Sequence, residues 1–321
     1  MRSTSLLLAL AALACSADQL TAPSLSLARP PIVRAYATTD TVFLMGAGDI
    51  AGCASTYHDE ATARLVMADP RARVFAAGDL AYTYGSAADW ACYNASWGQF
   101  KDRTWPAIGN HELHDPVGTR NYYDYWNGVG NNSGAAGQRG KGYYAVWHGA
   151  WRLLFLNSDY LAGDSTLTES QRHSLGMQEE VAFIKTDLAA HPSLCQMAIF
   201  HRPRFTSVED MVPTGWIPPL YRTLIELGGD IAIGGHHHQY ERTAPVLLDG
   251  TVDEARGIVQ FVAGGGGANT LNDFLAVPKP YSRARVKAYG VLWLKLFPTK
   301  ARFEYRDTRG VVRDAGYVKC H

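Results

Sequence analysis

The residues best suited to chemistry in this 321-residue chain lie in Gly234-Gly235-His236-His237-His238-Gln239-Tyr240-Glu241-Arg242, directly after the apolar run Ile231-Ala232-Ile233. A His-x-His pair at the carboxyl end of a buried strand points two imidazoles into one small volume, as a metal ion requires. Alone, three loop histidines could equally solvate a surface. Four further apolar runs end in the same manner. Residues 41–45 lead to Gly48-Asp49, 73–77 to Gly78-Asp79-Leu80-Ala81-Tyr82, 105–108 to Gly109-Asn110-His111-Glu112, and 197–200 to His201. Five strand ends that deliver oxygen and nitrogen donors point to one shared centre.

The elements that must position these donors read as βαβ units. Residues 59–68 place Ala61, Leu65, Val66 and Ala68 on one helical face, and Pro70 stops the helix. Residues 89–100 read as a helix carrying Trp90, Tyr93 and Trp97, and further helices span 177–190 and 219–227. Strand, helix, strand, helix in succession signals a parallel sheet, and such sheets bind ligands at the carboxyl ends of their strands. Residues 113–142, rich in Gly and Asn and studded with Tyr122, Tyr123, Tyr125 and Trp126, read as a long loop, and 143–157 as a hairpin. Residues 257–263, 289–297, 301–306 and 316–318 read as strands of a second, largely antiparallel region. Gly46, Gly48 and Ala51 also fit a dinucleotide-binding fingerprint, but that motif needs a helix at once, and residues 53–57 read as a loop.

Apolar content of 47% and charged content of 19% are those of an ordinary soluble domain, and a formal net charge of zero argues against a nucleic-acid binder working through a basic face. Arg2 followed by the apolar stretch through Ala14 reads as an export signal over residues 1–15. Ala12-Leu13-Ala14-Cys15 resembles a bacterial lipobox, with a lipidated Cys15 as the membrane contact; ordinary signal-peptidase cleavage is the other reading. Residues 16–38 read as a flexible tether and 39–321 as the catalytic domain. The destination is the bacterial periplasm or cell envelope, or secretion. Four cysteines then remain, Cys53, Cys92, Cys195 and Cys320. Three pairings are possible; Cys53 and Cys92 follow the first two donor strands, which favours Cys53 with Cys92 and Cys195 with Cys320.

Asp49, Asp79, Tyr82, Asn110, His201, His236 and His238 offer too many donors for one tetrahedral ion. Two ions about 3.5–4 Å apart, sharing a carboxylate, would use them all and can clamp both oxygens of an in-line displacement at phosphorus. In order, Gly48-Asp49, Gly78-Asp79, Gly109-Asn110-His111-Glu112, His201 and Gly235-His236-His237-His238 resemble the five blocks of the calcineurin-like metallophosphoesterases. Tyr82, three residues after Asp79, and the run ending Tyr240-Glu241-Arg242 resemble the purple acid phosphatase branch, in a compact bacterial form covering the chain after the tether.

The resemblance implies an α/β fold, a four-layer αββα sandwich of two mixed β-sheets flanked by helices, with the metal site at strand carboxyl ends. It implies that Asp49, Asp79, Tyr82 and His238 hold Fe3+, and that Asp79 bridges to a divalent Zn, Fe or Mn ion held by Asn110, His201 and His236. Hydroxide activated by the two ions attacks phosphorus in a small phosphate ester, with His111 as the acid or phosphate-oxygen donor. Asn110, His111 and Arg202 are the substrate-binding candidates; Arg204 and the Gly264-Gly265-Gly266-Gly267 run are further ones. Plant-type members carry additional histidines where this chain has Asp210 and Met211. The implied activity is a phosphomonoesterase; the alternatives are a phosphodiesterase acting on nucleotides, cyclic nucleotides or phospholipid headgroups, and an inactive module that binds phosphate or metal.

Overall fold

A computed structural model describes residues 40–115, 117–161, 166–208 and 214–321. The expected signal peptide and tether, together with Asp210 and Met211, lie outside the described residues. In chain order the main elements are β1 (Val42–Ala47), α1 (Asp59–Met67), β2 (Arg73–Ala77), α2 (Ala87–Ser96), β3 (Thr104–Ala107), α3 (Asn110–Leu113), α4 (Arg120–Asn127), β4 (Tyr144–His148), β5 (Trp151–Phe155), α5 (Glu169–Ala190), β6 (Cys195–Ile199), α6 (Pro218–Glu226), β7 (Ile231–Gly234), β8 (Tyr240–Val246), β9 (Ile258–Ala263), β10 (Ser282–Val286), β11 (Gly290–Phe297), β12 (Lys300–Asp307) and β13 (Val312–Lys319).

Two mixed sheets result, a six-stranded one in the order β13-β12-β11-β1-β2-β3 and a seven-stranded one in the order β10-β8-β9-β7-β6-β5-β4. The donor-bearing strands pair in parallel, β1 with β2, β2 with β3, and β6 with β7. They are buried on both faces, so they read as unbroken apolar runs. Leu44, Phe75, Phe155, Met197, Ile233, Phe261, Leu294 and Phe303 fill the space between the sheets. One outer face packs under α1, α2 and α4 through Val66, Trp90, Tyr93 and Trp126, the other under α5 and α6 through Ile184, Leu188 and Leu220. Layers of helix, sheet, sheet and helix follow, as expected. Among the described residues no helix is long and apolar enough to cross a membrane.

Three local readings need correction. The stretch 113–142 is not one loop: Arg120–Asn127 is a helix whose Tyr122, Tyr123 and Trp126 are buried, and packing of these rings against Trp90 and Tyr93 overrides the weak local signal. Helix α5 starts at Glu169, eight residues before the expected start, behind a capping box of Thr168 and Gln171. The late strands form no region of their own. β9 joins the second sheet parallel to β7, whereas β11, β12 and β13 extend the first sheet antiparallel from β1, because Leu292, Leu294 and Leu296 belong to the inter-sheet core.

Both favoured disulfides are present, Cys53–Cys92 and Cys195–Cys320. The second joins β6 of one sheet to the end of β13 in the other, across 125 residues of sequence. Replacing Cys195 and Cys320 by Ser is expected to lower the unfolding free energy by about 2–4 kcal/mol, measured by urea unfolding without reductant. An unchanged midpoint would show that this staple contributes nothing.

Candidate metal centre

The expected donors converge from the loops that follow β1, β2, β3, β6 and β7. Asp49, Asp79 and His236 have φ of 57°, 52° and 68°, and among the described residues they are the non-glycine residues with positive φ. That conformation is costly for a residue with a Cβ and persists where surroundings enforce it. Main-chain bonds do so here. The amides of Asp49, Ile50 and Ala51 donate to the carbonyls of Gly78, Asp79 and Leu80, locking the first two loops together. The Glu112 carboxylate, fully buried, accepts from the amides of Asp79, Leu80, Ala81 and Gly109 at 2.7–3.2 Å. Burial and the neighbouring Asp79 charge push Glu112 up to about 7 against those donors.

Each aspartate has one oxygen fixed by an amide and one turned inward. Asp49 Oδ2 accepts from the His236 amide at 2.7 Å, and Asp79 Oδ1 from the His111 amide at 2.8 Å. His201 Nδ1 lies 3.0 Å from the Ala77 carbonyl and His238 Nδ1 2.9 Å from the Thr270 carbonyl. An N–H donated there leaves each Nε2 facing the centre, the usual arrangement for ligating histidine.

Two nests of donors result. His201 Nε2 lies 3.0 Å from Asp79 Oδ2, 3.2 Å from Asn110 Oδ1 and 3.2 Å from His236 Nδ1. Tyr82 Oη lies 3.0 Å from Asp49 Oδ1, 3.3 Å from Asp79 Oδ2 and 3.1 Å from His238 Nε2. One N–H or O–H cannot serve three partners at once, whereas a cation among them can. Such separations match the edges of a coordination shell with donors about 2.0–2.2 Å from the ion. Asp79 Oδ2 belongs to both nests, and Asp79, His201 and His236 offer ligand atoms all within 4.8 Å of one another. The donor set thus suits two cations.

The electrostatics agree. Burial, then the Asp49 and Asp79 charges, push the Tyr82 phenol well above its ordinary value, so it ionises only beside a strong positive charge. Burial alone would lower His201, but Asp79 outweighs it and holds the ring up at about 10. In return His201, with His111 behind it, holds Asp79 below the usual carboxylate range despite burial.

The remaining candidates divide. His111 sits at the edge, its ring 4.4 Å from that of Tyr82, its Nδ1 2.5 Å from the Thr83 carbonyl and its Nε2 3.8 Å from Asp79 Oδ2. Arg202 is engaged: its Nε pairs with Asp159 and its Nη1 donates to His236 Nε2 at 2.9 Å. Arg204 bonds to the Leu248 carbonyl and, through its amide, to Gln260, away from the donors. The glycine run is a packing necessity and not a phosphate nest. A Cβ on Gly264 would lie 2.2 Å from the His237 carbonyl and 2.7 Å from Asp49 Oδ2, and the amides of Gly264 and Gly266 are spent on Gln239 and Gly48. Sequence reasoning missed Asp159, Thr83 and Thr270, which carry no local signal. The Glu112 clamp had one, since Glu three residues after Gly109 is capping-box spacing.

Two outcomes follow. A ligating imidazole must lose the proton that His201 holds up to about pH 10, so cation uptake at pH 7 releases protons and tightens as pH rises towards 10. Calorimetry in buffers of different ionisation enthalpy counts them; uptake without release would mean that His201 is neutral beforehand. Glu112→Gln is expected to cost about 3 kcal/mol of stability, since charge-assisted bonds are replaced by an amide that cannot satisfy four donors. A wild-type urea midpoint would sink the clamp.

No family model matches the chain. Two uncharacterized proteins of Mycobacterium tuberculosis, MT2654 and Rv2577, are each 25% identical over 206 residues, covering 56% of this chain and 38% of the relative. Among solved structures, purple acid phosphatase PPD1 from yellow lupin seeds superposes with a TM-score of 0.65 at 19% identity, over 88% of this chain and 55% of that one. GAP50, the anchor in the inner membrane complex of Plasmodium, gives 0.63 at 11% identity over 88% and 89%. A dimetal phosphatase from Danio rerio gives 0.58 at 12% identity over 87% and 99%. The chain thus spans about half the lupin enzyme and well under half of the mycobacterial relatives. Strand order, layers and superposition together give this chain the same fold as the lupin purple acid phosphatase and the Danio rerio dimetal phosphatase.

Proposed function

We propose that the protein is a metal-dependent phosphoester hydrolase of the exported compartment, acting on small phosphate monoesters. One observation carries this reading: two nests of hard donors share Asp79 Oδ2 at the carboxyl ends of five strands. Asp49, Asp79, Tyr82 and His238 are assigned to a ferric ion, and Asp79, Asn110, His201 and His236 to a divalent Zn, Fe or Mn ion. When bound, such a pair supplies Lewis acidity and lowers the pKa of water. GAP50, described as an anchor, has the same fold, so activity is argued from the donors and not from the fold.

The chain's own residues supply the rest. His111, pinned through Nδ1 by Thr83, presents Nε2 to the space above Asp79, where it donates to a phosphoryl oxygen or protonates the departing alkoxide. Asn110 contributes its carbonyl oxygen to the His201 side and keeps its amide N–H groups for substrate. Arg202, oriented by Asp159, offers a guanidinium to phosphate on the His236 side. The two disulfides fit an oxidising destination, with residues 1–15 as signal, 16–38 as tether and 39–321 as catalytic domain.

Asp79→Ala is expected to lose both metals and all turnover of an aryl monophosphate. His111→Ala keeps metal and loses about 100- to 10,000-fold in kcat; loss of metal instead would make His111 a ligand. In iron-loaded, oxidised protein a phenolate-to-ferric absorption band should vanish in Tyr82→Phe. An active protein whose band survives that substitution would remove Tyr82 from the ligand set. Faster turnover of a bis-aryl phosphate than of the monoester would transfer the reading to a diesterase.

A further inference from the structure

The first sheet buries one face against the second sheet; the other packs beneath the helices at Val291 and Trp293 and turns outward around residues 295–302 and 317–319. Register places Lys295 opposite Arg302, and Arg302 opposite Tyr317; in the next rung Phe297 faces Lys300, and Lys300 faces Lys319. Directly opposed residues share one face of a sheet, and like charges so placed repel. Lys295 with Arg302 and Lys300 with Lys319 are two such pairs. Glu304, on the same face, is shared by Arg302 and Arg306. The lysines that pair with carboxylates among the described residues are Lys141 and Lys287, both elsewhere.

The outward lysines meet rings instead. Lys295 Nζ lies 5.7 Å from the Phe43 centroid and 5.2 Å from that of Phe297; Lys300 Nζ lies 5.5 Å from Phe297 and 5.1 Å from Tyr317. Lys300, Arg302 and Lys319 are exposed, and Tyr317 is 59% exposed. Five cationic residues against one carboxylate stand on this face of a chain whose net charge is zero. Opposed like charges break a rule that stable sheets otherwise keep, and such violations mark places used for something else.

We propose that this face docks on an anionic phospholipid surface, with the lysines and arginines on headgroup phosphates and the interleaved rings at headgroup depth. Two observations favour lipid over another polyanion. The face is an open stretch of sheet in which aromatic rings alternate with cations, the pattern that suits a membrane interface. The chain also enters the fold here: β1 starts at Val42 opposite Leu296, and Phe43 lies opposite Lys295. The expected lipid-bearing Cys15 belongs to the 39 residues before Asp40, so an anchored chain would be attached through the same chain end that enters the fold beside this face. This inference does not depend on the proposed hydrolase activity.

The test is co-sedimentation of the full chain with vesicles of phosphatidylcholine, alone or with about a third phosphatidylglycerol. Each basic residue near an anionic surface is worth about fivefold in binding. The triple variant Lys295→Gln, Lys300→Gln, Lys319→Gln should therefore bind the anionic vesicles about a hundredfold more weakly than wild type, with an unfolding midpoint no lower than that of wild type. High salt should release the wild type. Equal binding by wild type and variant would overturn the proposal. Should the variant misfold, wild type alone decides, since binding without preference for anionic vesicles also overturns it. Dextran sulfate or single-stranded DNA binding this face while anionic vesicles do not would reassign it to a soluble polyanion.

Discussion

One buried carboxylate holds the candidate centre in shape. Glu112 collects four amide N–H groups from two loops, three of them from the turn that bears Asp79. Burying that charge is expensive, and the four donors offset part of the expense only while both loops keep their present conformation. The carboxylate is thereby a geometric filter. Asp79 stays in a left-handed backbone conformation because its amide and those after it have nowhere else to bond. The same main-chain logic extends to Asp49, whose side chain accepts from the His236 amide while its own amide and carbonyl bond to Gly78 and Ala268. Side chains supply the donors, but backbone sets the spacing between them.

That division explains how much was legible beforehand. Donor identity and order are local facts, and so are the apolar strands that carry them, because a strand buried on both faces needs no partner to be recognised. The seven donors expected to meet do meet. Partner choice is not local. Nothing within residues 290–319 says that they complete the first sheet and not another region, since the answer lies in β1, at the far end of the chain. Arg202 likewise gives no sign in its own stretch of chain of Asp159 and His236, the two partners that orient its guanidinium. Helix α4 escaped because its aromatic residues give little helical preference and gain their order from Trp90 and Tyr93.

Hydrogen bonding alone leaves the two nests of donors crowded. His201 and Asp79 settle as an ion pair, and Tyr82 as a neutral phenol shared among acceptors. Both arrangements satisfy charge, yet neither satisfies geometry, since three partners crowd one hydrogen in each nest. A protein without such a centre would relieve the crowding with one apolar substitution. Such a density of donors is what the cations of the proposed function would relieve.

The position of β1 has a consequence for how the molecule is made. It lies in the interior of its sheet, flanked by β2 on one side and by β11, from the last tenth of the chain, on the other. A growing polypeptide can assemble β2, β3, β6 and β7 while the strand leading to Asp49 still has an open edge, and non-local pairings of this kind close slowly. Cys320, the penultimate residue, then ties the finished sheet to β6. The loop that bears Asp49 is thus fixed in place only once β11 has closed the open edge of β1.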